Sequence, residues 1–257
     1  MNILALETTG KYGTAAVIKD NNPAVSVSSN NEMSHLQDII NMSEEALNQV
    51  GISKNELTHV AASIGPGSFT GIRIGVTTAR TLGQMLDIPC IAVSSLEGME
   101  YRVEDMAIDN GCGLILAIIN ARRNQTYAGL WTVEYDADTA TTSTESAAEE
   151  RQYMIDEVLE LAKAKMSELD TKLLITGDGA DAYEEIIEKT LAEDSYIIAD
   201  EDLRYQSADA IVELAKFKAE AGEAVPYDQL LPNYMRLSEA EQRLKEGTLS
   251  SKISKLK

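Results

Sequence analysis

The densest chemical signal in the sequence is Gly65-Pro66-Gly67-Ser68-Phe69-Thr70-Gly71-Ile72-Arg73. It joins a short apolar run to a long stretch of helical periodicity, so it reads as a strand-to-helix turn. Its glycines permit positive φ and close backbone approach at the positive end of a helix, a place that can cradle phosphate. No Gly-Lys-Ser/Thr follows, which excludes a Walker loop, and Ser68 lacks the Gly-x-Ser-x-Gly frame of a nucleophile elbow. On these residues alone an anion-binding turn and a structural turn both stand.

Glu7, ahead of Thr8-Thr9-Gly10, is the carboxylate best placed to face such a turn; it can hold a metal–phosphate or simply cap the chain. Arg122 and Arg123, inside Asn120-Ala121-Arg122-Arg123-Asn124, suit bidentate pairing with carboxylate or phosphate, or a solvated hairpin tip. His35 and His59 are the only histidines, 24 residues apart. They cannot ligate a metal from one helical face, and no nucleophile motif lies near either one, so no metal is expected. Cys90 and Cys112 sit in apolar strand-like runs and are expected as reduced core thiols.

These residues need elements to hold them. Residues 3–9, 14–18 and 24–28 read as strands, with the turn Asp20-Asn21-Asn22-Pro23 before the third. Ser34-His35-Leu36-Gln37 has the form of a capping box. It opens a helix that buries Leu36, Ile39, Ile40, Ser43, Leu47 and Val50 and stops at Gly51. A strand at 60–64 enters the glycine turn, a helix runs to about 86, a strand follows at 89–93, and Ser94 or Ser95 caps a helix to about 107.

Strands at 114–120 and 125–133 flank the arginine turn. Residues 136–150 read as a mobile surface loop, or a strand edge followed by one. Helices are expected at 152–166, 181–191 and 207–221, with a strand at 172–176 before Gly177-Asp178-Gly179 and a fraying helix in the lysine-dotted tail 243–257. The order, repeated twice, points to two related α/β lobes.

Gly71, Gly75, Ala79 and Gly83 recur every fourth residue, so one stripe of their helix has almost no side chain. Each interior glycine costs about 0.8–1 kcal/mol of helix propensity. Something must come close to that stripe, either within the lobe or from another subunit. Forty-two acids against 22 bases give a net charge of −20, which repels nucleic acid over most of the surface. The N-terminus reads as a strand rather than a signal peptide, and no apolar run approaches the roughly 20 residues of a membrane span, so a cytoplasmic protein is expected.

With these residues in view, the chain resembles the bacterial TsaB (YeaZ) family of the actin-like ATPase superfamily. The likeness begins at Ile3-Leu4-Ala5-Leu6-Glu7-Thr8 and takes in His35-Leu36. It is most specific from Gly65 to Gly75, and is supported by Asn120-Ala121-Arg122-Arg123-Asn124-Gln125-Thr126-Tyr127. It ends at Pro232-Asn233-Tyr234-Met235-Arg236 and Glu239-Ala240-Glu241.

The resemblance implies a two-lobed α/β fold of the actin-like, ribonuclease-H-like kind. Residues 1–107 would form the first lobe and 108–225 a smaller second one, with 226–257 packing back on the first. It implies a non-catalytic scaffold or activator, a homodimer when alone. Such a subunit binds the catalytic paralogue TsaD and works with the ATPase TsaE in threonylcarbamoyl transfer to the adenosine beside the tRNA anticodon. The tRNA would be met only through a partner.

The small-residue stripe and the missing metal pair point to the first-lobe helices as the partner interface, with His35, Leu36, Ile39, Gly71, Ile72, Gly75, Ala79 and Gly83 on it. The catalytic paralogue holds its metal with a His-x-x-x-His pair; here His35 is followed by Ile39. Glu7, Thr8, Gly65, Gly67, Ser68, Arg122 and Arg123 would be a vestigial nucleotide or anion turn. Asn120 stands where the family usually has aspartate, which weakens independent ATP hydrolysis; Glu7 stands where many relatives have aspartate, which changes its reach by one methylene. No cofactor is expected unless ATP or ADP sits at a partner interface. The rival readings are a nucleotide-binding regulator and a degenerate M22-type peptidase or ATPase.

Overall fold

Runs of apolar residues with buried partners on both sides dictate the architecture. In the computed structural model the described residues are 1–29 and 35–235, without the side chains of 35–37. Ser34 of the expected capping box, Arg236, Glu239-Ala240-Glu241 and the tail 243–257 lie outside them.

The chain opens with β1 (Asn2–Glu7), β2 (Thr14–Lys19) and β3 (Val25–Ser28), then α1 (His35–Val50), β4 (His59–Ser63), α2 (Phe69–Leu86) and β5 (Cys90–Val93). α3 (Ser95–Tyr101) and α4 (Glu104–Asp109) lead to β6 (Cys112–Asn120), β7 (Gln125–Asp136) and β8 (Thr141–Met154). There follow α5 (Ile155–Leu169), β9 (Lys172–Thr176), α6 (Asp178–Ala182), α7 (Glu184–Thr190), β10 (Tyr196–Ile198), α8 (Glu201–Arg204) and α9 (Ala208–Glu220).

The first sheet has the order β3-β2-β1-β4-β5 and the second β8-β7-β6-β9-β10. In each, three antiparallel strands are followed by two parallel ones. The same order twice is the two-lobed actin-like ATPase architecture.

Side chains alternate across a strand, so each apolar strand feeds two cores. Leu4, Leu6, Ala15 and Val17 face α1 and α2 together with Ile39, Ile72 and Val76, while Ile3, Ala5, Ala16 and Ile18 face Ile211, Val212 and Ala215 of α9. α9 was expected in the second lobe, within 108–225. It instead covers the back of the first sheet, because that sheet is apolar on both faces and needs a second layer. In β6, Leu114, Leu116 and Ile118 meet α5 and α7, and Ala117 and Ile119 meet α3.

Four local expectations change. Residues 136–150 hold most of β8, a long edge strand paired with β7 from Gln125↔Met154 to Asp136↔Thr141. Polar composition hides it, because an edge strand needs a backbone partner more than an apolar face. The helix expected to 107 breaks into α3 and α4, and that at 181–191 into α6 and α7. Ile40, expected inside, is exposed.

After α9 the chain crosses back along the first lobe. Val225 bridges Cys90 at the β5 edge, Leu230 is fully buried in the first core, and the Asn233 N–H donates to the Ile64 carbonyl at 2.8 Å.

Candidate functional site

The glycine turn and the turn after β1 are locked together. Gly65 and Gly67 have φ of 110° and 150°, values side chains rarely adopt. A Cβ on Gly67 would lie 2.6 Å from the Thr9 carbonyl, and one on Gly65 2.7 Å from that of Asn233. Ser68 caps α2, its Oγ accepting the Gly71 N–H at 3.2 Å, while its own N–H donates to the Thr9 carbonyl at 2.9 Å. Thr8 donates its hydroxyl to the Gly71 carbonyl at 2.7 Å.

Glu7 lies beneath, wholly buried, with Oε1 accepting the Thr9 N–H. Burial raises its pKa, and hydrogen bonds from Thr9, Ser63 and Gly10 temper the rise. Thr9 and Ser63 both meet the Ser95 hydroxyl, at 3.0 and 2.8 Å.

Glu7, Thr8, Gly65, Gly67 and Ser68 are therefore brought together where the two turns meet. An amide that would face a phosphate is spent on the opposite turn, and a Cβ on Gly10 would lie 2.7 Å from the Gln206 side chain. The carboxyl that would face a magnesium ion is sealed and biased toward its neutral form. The second Glu7 oxygen, Oε2, is buried with no hydrogen-bond partner among the described residues.

Arg122 and Arg123 form a separate feature. With Asn124 they have φ of 64°, 55° and 59°, and their side chains are exposed. Asn120 braces the turn: its Oδ1 accepts the Arg122 N–H at 2.8 Å and the Tyr183 hydroxyl at 2.9 Å. Asp178 accepts the Asn120 N–H at 2.9 Å, and burial raises its carboxyl. Neither guanidinium makes a hydrogen bond or ion pair among the described residues. Gly177 and Gly179 serve close packing against Ile118 of β6.

The small-residue stripe faces inward, which corrects the interface reading. A Cβ on Gly71 would overlap the Thr8 carbonyl; on Gly75 it would lie 2.5 Å from Thr8 Oγ1, and on Gly83 2.6 Å from Cys90 Sγ. Ala79, Ile72 and Ile39 are 0%, 2% and 1% exposed within the first core. Of the two readings open for Gly71, Gly75, Ala79 and Gly83, the first lobe itself supplies the close neighbours, from the turn after β1 and from β5. His35 and Leu36 open α1, and their side chains lie outside the described residues.

What α1 and α2 leave outside is another set. Ile40, Phe69 and Met85 are 46%, 44% and 72% exposed. Arg73 lies 4.0 Å over the Phe69 ring and donates Nε to the Tyr234 hydroxyl at 3.0 Å, and the two rings stand 4.9 Å apart. Phe69 and Arg73 lie one turn apart on the face opposite the glycines; that spacing was the available signal, overshadowed by the stripe.

Among the described residues no group of three His, Cys, Asp or Glu side chains could hold a metal ion. Cys90 and Cys112 are buried and form no disulfide.

The comparisons with known proteins agree with this architecture. The family model described as "TsaD: tRNA N6-adenosine threonylcarbamoyltransferase" matches residues 28–244. The "tRNA threonylcarbamoyladenosine biosynthesis protein TsaB" of Bacillus subtilis is 30% identical, with 95% of this chain and 97% of that protein covered. Its namesake from Escherichia coli is 27% identical, with 95% and 98% covered.

The structure described as "YeaZ from Pseudomonas aeruginosa" shares the fold, with a TM-score of 0.70, 23% identity, and 91% of this chain and 99% of that one covered. By contrast, the likeness to a tRNA N6-adenosine threonylcarbamoyltransferase of Rhodospirillum rubrum covers only 24% of that protein. The long match to the TsaD model and the end-to-end match to TsaB proteins are reconciled in one way: the chain belongs to the TsaB (YeaZ) family, a branch of the larger group that the TsaD model describes.

Proposed function

We propose that this chain is a non-catalytic subunit of tRNA threonylcarbamoyladenosine synthesis. It docks on a TsaD-type catalytic paralogue through the outer faces of α1 and α2, with a TsaE-type ATPase completing the assembly. The observation that carries the reading is Ile39. The position one helical turn after His35 holds an isoleucine sealed in the first core, where a metal-holding helix needs a second ligand.

The names of the full-length relatives support the pathway, and the sealed β1 turn supports a subunit that does no nucleotide chemistry of its own. Docking then rests on Ile40, Phe69, Arg73 and Met85, in place of the buried stripe. The same surface would pair two copies when no partner is present. Any ATP or ADP belongs, in this reading, to the assembled interface, and calorimetry with and without the partner tests that.

The net charge of −20 leaves tRNA to the partner. Among the described residues no helix is long and apolar enough to cross a membrane, in keeping with a cytoplasmic role.

The decisive experiment is co-purification with a TsaD-type protein, followed by tRNA modification with and without this chain. Modification should require the chain in the presence of the partner. Full modification without it, or turnover by the chain alone, defeats the reading.

A further inference from the structure

The connection that leads from the first sheet to the second carries carboxyl groups where ion pairs would be expected. α3 is the first connection between the sheets; Leu96 and Met99 pack it on the second lobe, and Gly98 seats it against Ile211 of α9. Its edge toward β8 is acidic. Glu100 is 2% exposed, and its Oε1 is buried with no hydrogen-bond partner. The Glu104 carboxyl of α4 and the Thr144 hydroxyl of β8 lie beside it. Further along the same strand, Glu150 Oε2 accepts the Ser94 hydroxyl at 2.5 Å, where α3 begins.

The groups facing this cluster offer little compensation. Glu97 of α3 and Asp105 of α4 add negative charge. Lys218 of α9 is the nearby cation, but it is tied to Glu97 at 3.0 Å and Glu223 at 3.7 Å. Arg102 pairs with Asp209 at 3.3 Å, and Glu213 faces Tyr101. Carboxylates so placed cannot all ionise. Burial, aided by the Glu104 charge, pushes Glu100 up to about 8. Burial, aided by Asp105, pushes Glu104 up to about 7. Burial raises Glu150 as well.

We propose that Glu100 and Glu104, with Glu150, form a proton-held clasp between the α3–α4 connection and β8, which frees β8 from that connection as the solution becomes alkaline. The sign follows from linkage: a carboxyl whose pKa is higher folded than unfolded binds extra proton in the native state. Its stabilising contribution is full below the unfolded value of 4.5 and is lost as pH rises through the folded one.

The test is thermal unfolding of the full chain and of Glu100→Gln across pH 5.5–8.5. Amide exchange is read over β8 and α3, corrected for intrinsic rate. The parent should lose several degrees of Tm across that range and lose protection first along 141–150. Glu100→Gln should flatten both trends and be the more stable protein at pH 8.5. Glu104→Gln, at a less buried position, reads the same pair if Glu100→Gln does not fold. Parallel pH slopes in parent and variant, or exchange that rises evenly over the molecule, would overturn the clasp.

Discussion

Gly71 shows how one missing Cβ governs the first lobe. The Thr8 carbonyl occupies the space a side chain would take, and Thr8 in turn donates its hydroxyl to the Gly71 carbonyl, so the turn after β1 meets α2 backbone to backbone. Gly71→Ala should therefore destabilise the whole protein, by roughly 1–3 kcal/mol or more as an overpacking change. Urea denaturation would show this as a lower midpoint with an unchanged slope. A variant of parental stability that merely loses a partner would return the stripe to an interface role.

Cys90 gives a second residue-scale expectation. Burial raises its thiol to about 11 despite the nearby Arg80 charge, and the sulfur is packed under Gly83. Little thiolate exists at pH 8 and no reagent reaches it, so alkylation should proceed only as fast as the protein opens. Rapid labelling of the native protein would contradict that packing.

At the scale of elements, α2 is divided between two tasks. Its glycine face serves the lobe, while Phe69, Arg73 and Met85 are left exposed elsewhere on its surface. Phe69→Ala or Met85→Glu should weaken association with a TsaD-type partner, or of the chain with itself, while circular dichroism and Tm stay near parental values. A large loss of Tm with either substitution would mean these side chains belong to the core.

The same helix marks what the sequence could disclose. Spacing exposed the small-residue stripe but not what approached it, since the neighbour, Thr8, is 63 residues away. β1, β2, β6 and β9 were legible because both their faces are apolar, leaving few alternatives to a covered strand. β8 was not, because its pairing comes from β7's backbone and not from its own side chains. α9 was found as a helix and placed in the wrong lobe: its apolar face declares that it is covered, but chain order says nothing of by what. At the turn around Glu7 the residues that meet were foreseen, but not the backbone contacts that join them, because Thr9 and Gly67 are far apart in sequence.

For the whole molecule, charge is the governing quantity. With 42 acids and 22 bases, the purified chain should show no measurable affinity for tRNA at about 0.1 M salt, where screening reaches roughly 10 Å. Filter binding or mobility shift, with and without the TsaD-type partner, checks this. Tight, salt-sensitive binding by the chain alone would show that its few unpaired arginines outweigh the acidic surface.

The position of α9 also constrains how the molecule can be made. The first sheet is complete at Val93, yet the helix that covers Ile3, Ala5, Ala16 and Ile18 begins at Ala208, about 115 residues later. At about 5–20 residues per second, synthesis leaves that face bare for roughly 6–23 s, far longer than a hairpin or helix takes to form. A growing chain that has released its first lobe thus presents an uncovered apolar surface to whatever waits at the ribosome exit. Stalled chains ending before Ala208 should be protease-sensitive and retained by chaperones, while chains carried past Leu230 should be released and protected.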